Sequence, residues 1–202
     1  MPGQKIDLYK LYKDEYVTPR KPILVKTKPA QYLAISGQGA PGSDRFSACI
    51  GALYAVAFTI KMTRKFARKQ DYAVCKLEGQ WFFEADPARI PMDKWQWKLL
   101  IRTPDFINET DRQQAVATLR EKRKPHEVEE VKLETINEGQ CVQMLHIGPY
   151  DREHETIALM RAFAEQKGLK LVGPHHEIYL SDPRRTPPER LKTILREPAK
   201  KS

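Results

Sequence analysis

The chain has 202 residues, enough for one domain or two small ones sharing a core. With 41% apolar and 30% charged residues it is too apolar for wholesale disorder, and a chain this long folds without needing a disulfide or a metal. Lys and Arg number 35 against 26 for Asp and Glu, a net charge of +9, but the basic residues are spread out. They read as solvated surface, and no helix-turn-helix, zinc-finger or RNP motif argues for direct nucleic-acid binding.

The longest apolar-rich stretch, 48–60, is shorter than the roughly 20 residues of a membrane span, and Lys61, Arg64 and Lys65 follow it. The N-terminus lacks the apolar core of a secretory signal. Cys49, Cys75 and Cys141 form neither a disulfide framework nor a C-x-x-C pair. These features predict a cytoplasmic protein with reduced cysteines and no membrane association.

Residues 1–21 are polar and basic, with Tyr9, Tyr12 and Tyr16 interspersed, and read as an arm packed on the body. Ile23–Lys26 and Tyr32–Ile35 read as strands, ended by the loop composition Gly37-Gln-Gly-Ala-Pro-Gly42. Ser43 or Asp44 caps a helix whose Phe46, Ile50, Leu53, Ala57 and Ile60 recur at helical spacing. Strands at Tyr72–Phe83 and Trp95–Arg102 follow; in the second, alternation of Trp95, Trp97, Leu99 and Ile101 with polar residues predicts a half-buried strand. Asn108 caps a connecting helix, about 108–124, with Ala115, Val116 and Leu119 inward.

The second half repeats the order. Val131–Ile136 and Cys141–Ile147 are strands, and Gly148-Pro-Tyr-Asp151 leads into a helix with Ile157, Met160, Phe163 and Ala164 inward, closed near Gly168. Strands near His175–Leu180 and Leu191–Arg196 end the chain. The order strand–helix–strand–strand occurs twice, about 22–102 and 128–198. This predicts an α+β fold with antiparallel sheets, a single domain over 22–198, and a cleft along a pseudo-twofold seam.

There is no G-x-S-x-G, H-E-x-x-H, P-loop or G-x-G-x-x-G motif, and no cofactor is expected. Adjacent His175 and His176 point to opposite faces of a strand, so with Glu177 they are not expected to bind a metal. Glu177 and Tyr179 share a face two residues apart. A carboxylate beside an aromatic in a cleft suits a general base or a counter-charge for a cation. The alternative is a surface Glu paired with Arg184 or Arg185. Alignment of the halves places Glu78 opposite Glu177, with both reaching the cleft. Trp81, Phe82, Phe83, Trp95 and Trp97, joined by Tyr150 and Tyr179, are either core or a cage that stacks flat or cationic ligands.

His146-Ile-Gly-Pro-Tyr150-Asp151, followed by a helix and then Gly173-Pro-His-His-Glu177-Ile-Tyr179-Leu-Ser-Asp-Pro-Arg, resembles the GyrI-like small-molecule-binding domain. The same module serves as effector-binding domain in AraC-type and MerR-type regulators. Lys76-Leu-Glu78-Gly-Gln-Trp81 and Trp97-Lys-Leu-Leu-Ile-Arg102 resemble the stand-alone branch. The resemblance spans about 22–198. It implies two strand–helix–strand–strand units about a pseudo-twofold axis and a cleft whose central acid, Glu177 by match, meets cationic aromatic ligands. Part of that branch hydrolyses cyclopropane-bearing DNA-alkylating compounds, with a glutamate activating water inside an aromatic cage. Carried over, Trp81, Phe83, Trp97, Tyr150 and Tyr179 are cage candidates with Glu177 as base; as an enzyme the chain would use Tyr150 or Tyr179 to orient the water or the carbonyl, and the repeat adds Glu78 as a ligand contact. The alternative function is a non-catalytic module that sequesters a cationic aromatic ligand. Only about 22 residues precede the first strand, too few for a DNA-reading domain, and the basic chain argues against a protein target such as gyrase.

Overall fold

The computed structural model describes residues 5–83 and 87–201. One antiparallel sheet organises it. The strands are β1 (Ile23–Lys26), β2 (Ala30–Gln38), β3 (Glu78–Phe82), β4 (Gln96–Thr103), β5 (Lys132–Ile136), β6 (Gln140–Ile147), β7 (Leu169–Leu171), β8 (His175–Tyr179) and β9 (Lys192–Lys201). Their order across the sheet is β1-β6-β9-β8-β3-β4-β2-β5, with β7 pairing on β9. The helices are α1 (Leu8–Leu11), α2 (Asp44–Phe66), α3 (Glu109–Glu121) and α4 (Glu153–Gln166).

In the first half the chain runs β2, α2, β3, β4, and β4 lies between β3 and β2. In the second it runs β6, α4, β8, β9, with β9 between β8 and β6. The inner strands β3 and β8 pair with each other at the centre. The flanking strands cross over: β1 pairs with β6, and β5 pairs with β2. Each sequence-predicted half therefore contains a strand that pairs in the other.

Local chemistry fixes the helices. The Ser43 hydroxyl accepts from the Phe46 amide, capping α2 as expected. Asn108 and Asp111 form a reciprocal capping box at the start of α3. Arg64, near the end of α2, reaches Asp111 at 3.0 Å and joins the two helices. At 23 residues α2 outruns the stretch read from the sequence and by length and composition alone is able to cross a membrane. In this fold Phe46, Cys49, Leu53, Val56, Ala57 and Ile60 instead pack on Leu33, Ile35, Trp97, Leu99 and Ile101 of the sheet. A second cluster joins Met160 and Ala164 of α4 to Val142, Met144 and Leu195. Both helices cover the same sheet face, α2 over β2 and β4 and α4 over β6 and β9.

Two strand expectations change. The run Tyr72–Phe83 is a strand only from Glu78; before it, Tyr72 makes a single parallel bridge to Ile6 and enters the core as part of an extended connector. Glu84-Ala-Asp86, where the sequence ends this run before Pro87, lies outside the described residues. β4 is not half-buried, because Leu100 and Arg102 on its second face are also covered. Leu100 packs with Ala30, Tyr32 and Ala34, and over Arg102 the cover is the N-terminal segment, whose Tyr16 packs on Ile178 and Ile194 while the Tyr12 ring centre lies 4.2 Å from the Arg102 guanidinium carbon. All three cysteines are free and buried.

Candidate functional site

The pairing of β3 with β8 decides which side chains meet. Residues directly opposite in an antiparallel pair share a face. Gly79 lies opposite Glu177, and Trp81 opposite His175. Glu177, Tyr179, Trp81 and His175 therefore project from the helix-bearing face, at the seam between the α2 and α4 clusters. Glu78 lies opposite Ile178 and projects the other way.

Glu177 is 9% exposed. Its surface pairing with Arg184 or Arg185 does not occur; those arginines turn to Asp182. The Tyr179 phenol lies beside the Glu177 carboxylate and the Trp81 indole; burial first, then the Glu177 charge, raises its pKa well above the usual range. Tyr150 meets Tyr179 edge-on with ring centroids 5.9 Å apart. Burial, then the charges of Glu153 and Glu177, pushes Tyr150 up to about 12. Both phenols are thus neutral donors at physiological pH. Tyr150 is 39% exposed and forms the rim of the site.

A third element completes the cluster. Glu153, in the first turn of α4, is buried against Glu177 and the Thr193 hydroxyl. Burial, followed by the Glu177 charge, raises its pKa well above the carboxylate range. One atom each from Glu153, His175 and Glu177 lies within 4.8 Å of the others. The opposite facing of His175 and His176 holds, but His175 and Glu177 share a face, and α4 supplies the third donor. Sequence reading missed Glu153, although it extends the inward stripe of α4 back from Ile157, Met160 and Ala164 at helical spacing.

The other expected site residues separate. Trp81 stacks on Phe46 at 5.8 Å and meets Trp95 edge-on, and Phe83 meets Trp95 edge-on in turn. Trp97 is 1% exposed, its indole N–H donating to the Gly39 carbonyl at 3.2 Å. Gly37 exists to admit it, since a Cβ there would stand 2.3 Å from the Trp97 ring. Trp97 is a core residue behind Trp81.

Glu78 does not reach the seam. It sits 3.0 Å from His176 Nε2 and accepts from the Tyr16 hydroxyl. His176 Nδ1 lies 2.8 Å from Glu138, which also pairs with Arg196, while Arg102 pairs with Glu15. Burial disfavours charge on His176, but Glu138 and Glu78 outweigh it and hold its pKa at about 9. This face therefore buries Glu15, Glu78 and Glu138 against Arg102, Arg196 and an imidazolium, three charges of each sign.

Two surface hollows, of about 270 and 320 Å³, lie elsewhere, one between Arg20 and His146–Pro149 and one along α4 and β7.

A mixed α/β domain with an acidic, aromatic centre between two helix-covered halves is a small-molecule-binding architecture. The sequence matches the GyrI-like small-molecule-binding domain over residues 103–199, and the chain belongs to this family. A conserved protein of unassigned function from Listeria innocua is similar at 38% identity and TM-score 0.91, covering 97% of this chain and 100% of that one. A hydrolase from Listeria innocua is similar at 37% identity and TM-score 0.88, with the same coverage. The C-terminal domain of EcmrR shares the fold at 12% identity and TM-score 0.61, covering 90% of this chain and 98% of that one. No curated protein matches the chain.

Proposed function

We propose that the chain is a cytoplasmic enzyme that hydrolyses a cyclopropane-bearing aromatic electrophile at the seam, with Glu177 as general base. The observation that carries this is the convergence of a buried carboxylate, a neutral phenol and a tryptophan on one short strand pair, with a second neutral phenol, Tyr150, reaching it from the turn before α4. The 37% identical relative described as a hydrolase supports the same reading.

A flat substrate enters between Tyr150 and Tyr179 and stacks near Trp81. Water attacks a ring carbon, and Glu177 takes its proton as the new C–O bond forms. One strained C–C bond breaks, and its electron pair moves into the conjugated carbonyl system. Tyr150 or Tyr179 donates a hydrogen bond where that negative charge gathers. The second reading is a binding module for cationic aromatics, favoured by the excess of carboxylates over cations at the seam.

One experiment separates them. The protein is incubated with a cyclopropane-bearing alkylator, ring-opened product is followed by mass, and a cationic dye is titrated in parallel. Glu177→Gln should lower turnover by about 10²–10⁴-fold with binding of a neutral substrate retained. No product from the unaltered protein, with dye binding that needs Glu177, establishes the binding module instead.

A further inference from the structure

We infer that Glu153, His175 and Glu177 form a site for one divalent transition-metal ion of the zinc or manganese type.

The donors already converge. One ligand atom from each lies within 4.8 Å of the other two. His175 Nε2 stands 3.5 Å from Glu177 Oε1. Two donors about 2.1 Å from a tetrahedral ion lie about 3.4 Å apart, so this separation needs little adjustment. The other imidazole nitrogen, Nδ1, is held by the Glu197 carboxylate at 3.0 Å. A carboxylate behind a histidine in this way fixes the ring and its tautomer so that the free nitrogen faces a metal.

Two donors lack a hydrogen-bond partner. Glu153 Oε1 and His175 Nε2 are both buried without one. Glu153 is 6% exposed, so water does not compensate. An orphaned carboxyl oxygen in the interior is destabilising unless something binds it. The polar neighbours of Glu153 are the Thr193 hydroxyl and Glu177, another acid.

Charge makes the same demand. Glu177 and Glu197 meet a single imidazole with the Glu153 carboxyl beside them, and among the described residues no Lys or Arg pairs with any of the three. The other face of the sheet, at comparable burial, matches its three carboxylates with three cations. The seam lacks a cation that its sister cluster has, and a divalent ion between two carboxylates supplies it. One imidazole with two carboxylates suits zinc, manganese or iron(II) better than calcium, which takes six to eight oxygens. Three protein donors would leave a four-coordinate ion one position for water or a ligand.

The test needs no substrate, so it stands apart from the hydrolytic reading. Protein stripped with a chelator is titrated with Zn²⁺, Mn²⁺ and Co²⁺ by calorimetry, with cobalt absorption reporting an imidazole–carboxylate environment. One ion per chain and a rise in melting temperature are expected. Glu153→Gln and His175→Ala should each weaken binding by more than about tenfold, and Glu197→Gln by about 10–100-fold through loss of the ring's support. Circular dichroism checks each fold; should His175→Ala fail to fold, the isosteric Glu153→Gln carries the test. No saturable binding up to about 1 mM ion, or binding untouched by Glu153→Gln, overturns the inference.

Discussion

The Tyr179 hydroxyl occupies the space above Gly79 that any side chain would need: a Cβ there would lie 2.9 Å from that oxygen and 3.5 Å from the Trp81 indole nitrogen. Because Gly79 also lies opposite Glu177, one missing methyl lets the phenol, the indole N–H and the carboxylate meet.

Gly79→Ala should therefore push the phenol aside. A glycine in a strand interior is itself mildly unfavourable, so the alanine variant should change stability by no more than about 1 kcal/mol either way. Ligand affinity or turnover should fall by about tenfold or more, since a displacement near 1 Å in a reacting group has large effects. Melting temperature and dye titration on the same sample check this; unchanged binding would show that the Tyr179 position is not used.

The tryptophans should divide. Trp97→Ala should cost about 3–5 kcal/mol by leaving a large cavity under Gly37, as seen in chemical denaturation. In protein that remains folded, the cationic dye should still bind. Trp81→Phe should retain most of the stability but remove much of the ligand-dependent fluorescence quenching. Quenching carried by Trp97 instead would place the ligand on the wrong side of Phe46.

Acid should act through Glu138. Burial opposes its ionisation, but His176 and Arg196 outweigh that and lower its pKa to about 2. A lowered folded-state pKa stabilises above the unfolded value of about 4.5 and loses that contribution as pH falls toward 2, on the order of 3 kcal/mol in all. Melting temperature should decline through this window. Glu138→Gln should flatten that limb and, at neutral pH, destabilise by about 3–5 kcal/mol, because His176 and Arg196 lose a buried partner.

Much of this was legible in the chain. Period-3.6 stripes and caps at Ser43 and Asn108 located α2 and α3, because these signals act within a few residues. The i, i+2 rule put Glu177 and Tyr179 together for the same reason. Glu78 went to the wrong face because matching it to Glu177 required a pairing register, and a slip of one residue reverses every side chain. The helix-like setting of Glu153 gave no local sign of a site; only the packing of α4 beside β8 brings it there. Burial of Arg102 was hidden because its cover, Tyr12–Tyr16, lies far away in sequence.

That cover has a consequence for engineering. The Glu15 carboxylate holds Arg102 at 2.8 Å, and its backbone carbonyl accepts from Arg196. A chain trimmed to begin at Pro22 keeps every strand of the sheet yet uncovers two guanidinium groups and the Tyr16 contact with Ile178 and Ile194. Deletion mapping that treats residues 5–21 as a dispensable tail would lose solubility before it reached the seam. Tags and fusions belong ahead of the arm, never in place of it.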